Sequence, residues 1–523
     1  MKYFTDRSLQ IVLALFTFVV FIAGIGSSSI LTQGDESDYI RSSQEMYSSG
    51  DWLSPTLREE LRFTKPPLLY WMVVSSYKIF GVSFFSARLP SVFCAVLTVI
   101  FIFRLGRLLF NRDAAWLAAL LTATSFGMVK FSKIVLMESP LILTLLLAFY
   151  YFVRFYRERS NGLLIGCFVW LGITALLKSP IYSAIALTAM VLFLLSEKSL
   201  KRLFCKELVS ATSIALLIAI PWYIAMVVIH GHLFTDFYMN EHVNKFEAVP
   251  HFVLRVWFGL LLYMMPWTSY VFYAAWVIFS RQIYLDWQYK LLLIIMGLFL
   301  VVFMIPNQKG LYYAIPLLPY CGLMTGGILA GTFAPGKSWD YLTAAILISA
   351  GLVFAVIVFL LDSAVPFTLA SCLFLLAAGL VLIRSQSKTI PMILSGVALI
   401  PLYTHIFPAI NFEIIPVQKT LALIEEKPLY SYKLSPLKFK NALDYKVDEL
   451  SAPDDVARSL AQGGYIILRA EDYLALKNDL SQHTRQRLEW VRWQRRIPFK
   501  KIVNSAIEQR PEDLHESVLL ISK

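Results

Sequence analysis

Charge is scarce in this sequence. Asp, Glu, Lys and Arg make up 16% of its 523 residues, against 58% hydrophobic residues and a mean hydropathy of +0.63. So little polar surface excludes a soluble globule of this length. Cysteine is scarce too. The five present, Cys94, Cys167, Cys205, Cys321 and Cys372, fall in apolar runs or beside basic loops, which implies neither a disulfide framework nor a cysteine metal site. No G-x-G-x-x-G or Walker sequence occurs, which disfavours an enzyme of nucleotide sugars or ATP. A repeat of fixed period and low-complexity tracts are lacking as well.

What is abundant is apolar sequence in runs of about 20 residues, enough to cross a hydrocarbon core of roughly 30 Å at 1.5 Å per residue. They predict an α-helical polytopic membrane protein with about thirteen spans: 9–30, 86–110, 114–131, 134–153, 161–177, 179–196, 208–230, 255–280, 290–306, 311–331, 341–361, 367–384 and 390–410. Lys2 and Arg7 precede the first run and no small-residue cleavage site follows it, so it reads as a retained span with a cytoplasmic amino terminus. Alternating from there puts the basic connections "RLGRLLFNR", "RFYRER", "EKSLKRLFCK", "SRQIYLDWQYK" and "RSQSK" on the cytoplasmic side, as the positive-inside rule requires. The net charge of +12 is thus a topology signal. It is not the concentrated basic face of a nucleic-acid binder.

Two regions break the apolar pattern. Residues 31–85 form the first outward loop, and 411–523 follow the transmembrane domain 1–410. In the latter, "PDDVARSLAQGG" reads as a helix, "YIILR" as a strand and "EDYLALKNDL" as a further helix, so a small soluble α/β domain is expected. The first loop has the periodicity of short amphipathic helices lying in the membrane interface, with Tyr39, Met46 and Tyr47 facing lipid and Trp52, Tyr70 and Trp71 as anchors. Asp35 stands at its start. Glu36, Asp38, Asp51, Glu59 and Glu60 read as a solvated face.

The remaining outward segments bring ionisable groups to span ends: Lys130, Lys133 and Glu138, then Lys178, then Lys309 with Tyr312 and Tyr313. A charge at the bilayer centre costs about 2.5–3.5 kcal/mol on insertion scales, so groups retained near it line a cavity or pair. They predict one polar cavity opening outward. Glu138 and Lys178 read either as site residues or as a structural or snorkelling pair, and the two tyrosines as donor contacts or belt aromatics. His230, His232, His242 and His251 crowd one outward loop without a recognised ligand spacing. No cofactor follows from the residues, and a divalent metal ion is left open.

"DESDY", "GDW", "RFTKPPLLYW", "FGVSFFSARLPS", "LMESPL", "LLKSP", "PWY", "FYMNEHVNKF", "PW" at 266–267 and "KGLYYAIPLLP" occur in this order. Together they resemble the aminoarabinose transferase and protein mannosyltransferase-like branch of the polyprenyl-phosphate-dependent membrane glycosyltransferases, over roughly residues 9–330. The resemblance implies a GT-C fold with interfacial helices in the first outward loop and an extracytoplasmic terminal α/β domain. It also implies transfer of a sugar from an undecaprenyl-phosphate-like donor to a lipid A-type glycolipid or another envelope acceptor. The expected setting is the bacterial inner membrane, with the active site and the terminal domain periplasmic and the protein monomeric.

Carried over residue by residue, the resemblance makes Asp35 the catalytic carboxylate and Lys65 a cation for the donor phosphate. Lys245 and Lys309 join Lys65, and Glu36, Glu138, Lys178, His242 and Tyr313 are further candidates. Thr64 stands where the aminoarabinose branch commonly has Glu, Asp38 where it has Arg, and Lys245–Phe246 where it has Arg-Phe, so the sugar is expected to differ. A protein O-mannosyltransferase-like enzyme is one alternative. A transporter or flippase of lipid-linked sugars is another, and it predicts charges and helix breaks near the midplane. A scaffold binding a partner through its terminal domain leaves the cavity charges without a role.

Overall fold

The computed structural model describes residues 5–27, 34–57, 59–242, 255–304, 310–360, 366–385, 387–406, 417–424, 427–434, 439, 446–477, 480, 484–493 and 515–523. The chain divides into two compact units. The first comprises Met1–Gly26, Asp38–Gly351 and Cys372–Ile400; the second comprises Ser27–Ser37, Leu352–Ser371 and Pro401–Lys523.

In chain order the helices are α1 (Asp6–Ile22), α2 (Gly34–Ser49), α3 (Leu68–Phe80), α4 (Phe84–Leu109), α5 (Arg112–Ala123), α6 (Phe126–Ser132), α7 (Glu138–Glu158), α8 (Gly162–Leu177), α9 (Pro180–Ser196), α10 (Lys206–His230), α11 (His232–His242), α12 (Arg255–Tyr263), α13 (Thr268–Ser280), α14 (Trp287–Met304), α15 (Leu318–Leu329), α16 (Lys337–Leu360), α17 (Pro366–Arg384) and α18 (Thr389–Pro401). A short hairpin, β1 (Thr56–Leu57) with β2 (Glu60–Leu61), lies between α2 and α3. Helix starts follow local chemistry. Ser83 and Ser86 form a reciprocal capping box at α4, and Ser179 caps α9 with Pro180 in its first turn.

Each expected run has helix among its described residues. Among the described residues, five helices are long and apolar enough to cross a membrane, or up to seven if each bent pair is one span, with five shorter apolar helices beside them. The protein is therefore a multi-pass membrane protein. Two expected straight spans are broken. Residues 114–131 bend by 61° between α5 and α6, and 255–280 bend by 116° between α12 and α13.

The two breaks meet. The Phe126 N–H donates to the Met265 carbonyl at 2.8 Å, and the Trp267 indole N–H donates to Thr124 Oγ1 at 3.0 Å. Lipid offers no partner for an unwound backbone, so each break is tolerated because the other satisfies it.

Close helix approach rests on small residues. A Cβ on Gly326 of α15 would lie 2.7 Å from both Ala114 O and Ala118 N of α5, the kind of backbone contact by which helices associate in lipid, where no hydrophobic effect drives them together. Gly326→Val is expected to force the helices apart and destabilise by about 1–3 kcal/mol, as overpacking does. A thermal shift assay in detergent checks this.

The second unit contains a five-stranded sheet of β3 (Leu429–Tyr432), β4 (Val447–Leu450), β5 (Tyr465–Arg469), β6 (Arg485–Trp493) and β7 (His515–Ser522), ordered β4-β3-β5-β7-β6. The pairs β3–β4 and β3–β5 are parallel, and β7 runs antiparallel to both neighbours. Side chains alternate across it. Ile467, Val518 and Leu520 pack with Leu429 on one face, and Ile466, Leu468, Leu519 and Ile521 pack with Val456 and Leu460 on the other. Helices Pro453–Ala461 and Ala470–Leu476 flank β5 in sequence, at the positions expected from the pattern.

Candidate active site

Asp51–Ser54 and Phe63 are held by hydrogen bonds and ring contacts that involve α3, α10 and α11. Asp51 Oδ1 accepts from the Leu53 and Ser54 amides at 2.8 and 3.2 Å, closing an Asx turn. The Trp71 indole donates to Trp52 O at 2.6 Å and the Trp222 indole to Leu53 O at 2.9 Å. Ser54 Oγ lies 2.8 Å from His230 Nε2. Phe63, fully withdrawn from solvent, sits edge-on to Phe234 at 5.3 Å and 5.0 Å from the His230 ring.

Lys65 follows two residues later, half-buried, and the rigid Pro66-Pro67 pair leads directly into α3. The proline rings fix φ, so the backbone presenting Lys65 has little freedom.

Ahead of Lys65 lies Arg62. Its Nη1 is 2.9 Å from Asp38 Oδ2, its Nε donates to Thr64 Oγ1 at 3.1 Å, and its guanidinium stands 5.5 Å over the Tyr39 ring. Burial pulls this group down, but Tyr70, Asp38 and Tyr39 outweigh it and leave it above the usual arginine value. The charge is secure.

A second cluster joins α7, α8, α9 and the 3₁₀ helix Leu311–Leu317. Glu138 opens α7 and Lys178 ends α8, and their side chains meet at 2.7 Å, 5% and 9% exposed. The Lys178 ammonium faces the rings of Tyr182, Tyr312 and Tyr313 at 5.1, 5.8 and 5.9 Å. Tyr313 stacks on Phe303 at 5.3 Å. The closeness is enforced from α12, where a Cβ on Gly259 would lie 2.3 Å from Leu311 O. A buried pair of this kind is held by its hydrogen bond and by ring faces that attract the cation.

Asp35 is exposed on the first turn of α2, where the helix N-terminus favours a carboxylate. Glu36, expected on a solvated face, is instead fully buried, because one residue turns the helix by about 100°. Asp38 is likewise tied to Arg62. Asp51, Glu59 and Glu60 are exposed. Asp35 and Glu36 are counted with the second unit and Lys65 with the first.

The apolar side of α2 is only partly open as expected, with Tyr47 exposed. Tyr39 and Met46 are buried, with Tyr39 5.8 Å from Tyr70. Tyr70, expected as an interfacial anchor, is fully enclosed.

Lys133, expected in the cavity, is sealed. It donates to Val20 O, Phe21 O and Ala23 O at 2.6, 3.1 and 2.7 Å, satisfying carbonyls left open at the end of α1, while Arg88 donates to Ile25 O at 2.8 Å. These two cations anchor the end of α1.

Lys245 and Lys309 lie outside the described residues, as does His251. His242 ends α11, and its side chain is also outside them. Among the described residues no three His, Cys, Asp or Glu side chains gather as a metal site. Sequence reasoning did not single out Arg62 or Tyr182. Arg62 stood within the quoted "RFTKPPLLYW", but nothing in spacing told of its tie to Asp38.

Residues 64–224 match the family profile described as dolichyl-phosphate-mannose-protein mannosyltransferase. The undecaprenyl phosphate-alpha-4-amino-4-deoxy-L-arabinose arabinosyl transferase of Yersinia enterocolitica is 27% identical over 264 residues, 49% of this chain and 47% of that protein. An uncharacterized protein of Aquifex aeolicus is 25% identical over 305 residues, 56% of this chain and 59% of that one. The match to this chain thus spans about half the length of these relatives. In fold, ArnT from Cupriavidus metallidurans, solved bound to undecaprenyl phosphate, superposes with a TM-score of 0.70 at 18% identity over 98% of this chain and 97% of that one. The same protein in its apo state gives 0.71.

Proposed function

We propose that this chain, which falls in the aminoarabinose transferase and protein mannosyltransferase-like GT-C family, moves a sugar from a polyprenyl-phosphate donor to an envelope acceptor such as a lipid A-type glycolipid, on the extracytoplasmic side of a bacterial inner membrane. The observation that carries the reading is the first loop, where an exposed carboxylate stands on the first turn of α2 and a half-buried lysine precedes the two prolines ahead of α3. Residues 411–523 are taken as an extracytoplasmic domain.

In this reading Asp35 takes the proton of the acceptor hydroxyl as it attacks the sugar's anomeric carbon. The bond from that carbon to the donor phosphate oxygen breaks, and polyprenyl phosphate departs. A hydroxyl is a poor nucleophile, and a positioned carboxylate makes the attack feasible. Lys65, with Lys245 and Lys309, meets the charge growing on the leaving phosphate, where fixed cations stabilise the transition state most. The hydrocarbon tail of such a donor stays in the bilayer, which is why the chemistry belongs to a membrane helical unit.

The paired helix breaks at Thr124 and Met265 are the feature a transporter would share. They carry no ionisable group of their own, and the charges collect at Glu138, Lys178, Arg62 and Lys65 instead, which favours transfer over transport.

Membranes containing the protein, supplied with radiolabelled polyprenyl-phosphate sugar, are expected to move label into an envelope glycolipid fraction. Label that crosses the membrane while staying on the polyprenyl carrier would support the transporter instead. Lys65→Ala is expected to raise the apparent KM for the donor about tenfold or more, the loss of roughly one charge-assisted contact. An unchanged KM removes Lys65 from the phosphate site.

A further inference from the structure

Asp38 and Glu45 stand two helical turns apart on α2 and so share one face. Glu45 accepts from Thr56 Oγ1 at 2.7 Å and from the Glu59 amide at 3.2 Å, which fastens that face to the hairpin of β1 and β2. The hairpin closes with the Arg62 amide donating to Pro55 O at 2.8 Å, and this delivers the Arg62 side chain to Asp38, 2.9 Å away. Glu36, the other carboxylate withdrawn on α2, precedes Asp38 by two residues, about 200° around the helix, and does not share that face.

From Arg62 the polar contacts continue into the residue next to Lys65. Arg62 Nε donates to Thr64 Oγ1 at 3.1 Å, and Thr64 is the side-chain hydrogen-bond partner of Tyr70, which is buried on the first turn of α3. Lys65 is thus bracketed, on one side by a hydroxyl tied through Arg62 to α2 and directly to α3, on the other by Pro66 and Pro67. Arg62 itself is turned to the protein. Its side chain is 12% exposed, with Asp38 and Thr64 at its edges and the Tyr39 ring against its face.

Resting on the reading of Lys65 as a cation for the donor phosphate, we propose that Asp38, Arg62 and Thr64 are positioning residues for Lys65, acting on the lipid phosphate only through where they hold that ammonium. A lysine is a point charge on a flexible stem, so its grip on a phosphate depends on how firmly the backbone aims it. A fixed cation also meets a growing charge without having to reorganise. Without the Arg62 bridge the Thr64 hydroxyl loses its tie to α2, and the main chain ahead of Pro66 is free to shift.

The test is a double-mutant cycle on binding of labelled undecaprenyl phosphate to the purified full chain in detergent. Lys65→Ala is expected to weaken binding about tenfold, and Arg62→Gln and Thr64→Val several-fold each. In the Lys65→Ala background the latter two are expected to change binding by less than about twofold, because the group they position is gone. A merely structural loss would persist there. Arg62→Lys keeps a charge opposite Asp38 without the planar fork that spans Asp38 and Thr64, so it is expected to bind as Arg62→Gln does. Should Arg62→Gln fold poorly, since it leaves Asp38 without its cation, Asp38→Asn/Arg62→Gln takes its place in the cycle.

Losses that add across the cycle overturn the positioning role and leave the donor reading intact, and so does parent-like binding by Arg62→Gln, Arg62→Lys or Thr64→Val. Unchanged binding in Lys65→Ala overturns the positioning role together with the place of Lys65 in the donor site.

Discussion

Asp35→Asn lowers kcat about 10²- to 10⁴-fold, the usual contribution of a general base, while donor affinity is retained. The amide keeps the size and one acceptor oxygen of the carboxylate but takes no proton from an attacking hydroxyl. The exposed first turn of α2 suits an ionised group and lets an acceptor reach it. Single-turnover transfer with saturating labelled donor measures the loss, and displacement of labelled undecaprenyl phosphate measures binding. Activity within a few-fold of the parent protein would remove Asp35 as base. Glu36→Gln is the matched control. It alters a fully buried carboxylate, so its expected consequence is a lower melting temperature.

Lys178→Met is expected to destabilise the helical unit by about 3–5 kcal/mol, because it strands a buried carboxylate. Glu138 is 5% exposed at its side chain and has Lys178 at 2.7 Å; removing the cation leaves an uncompensated charge among Tyr182, Tyr312 and Tyr313. The double variant Glu138→Gln/Lys178→Met is expected to recover most of that loss, since removing both partners of a buried pair is often neutral. It should still transfer poorly, because the tyrosines lose the ammonium that gathers their rings. Thermal unfolding in detergent reads the first effect and initial rate the second. A double variant as active as the parent protein would reduce the pair to a structural tie.

The helices were legible because lipid demands continuous apolar sequence and internal backbone pairing, and both leave their mark on composition. The bends were not. Pro266 is visible in the sequence, but its neighbours become tolerable in a membrane only through Thr124 and Phe126, and no local pattern announces that meeting. Glu138 and Lys178 stood out singly as charges beside spans, while their pairing depends on how α7 packs on α8.

On α2 the periodicity identified an apolar face and could not say what that face meets. Tyr39 and Met46 turned to protein where lipid was expected. Glu36 shows the same limit more sharply. Two adjacent carboxylates look alike in a sequence, and only the rotation of the helix sends one to water and the other inside.

The junction of Phe126 with Met265 and of Thr124 with Trp267 has a consequence for how the chain is made. Ribosomes deliver the first kink long before its counterpart exists, so until then an unwound stretch of main chain waits at the translocon or in lipid with its amide unanswered. Insertion of the early helices is provisional, and the later ones lock it.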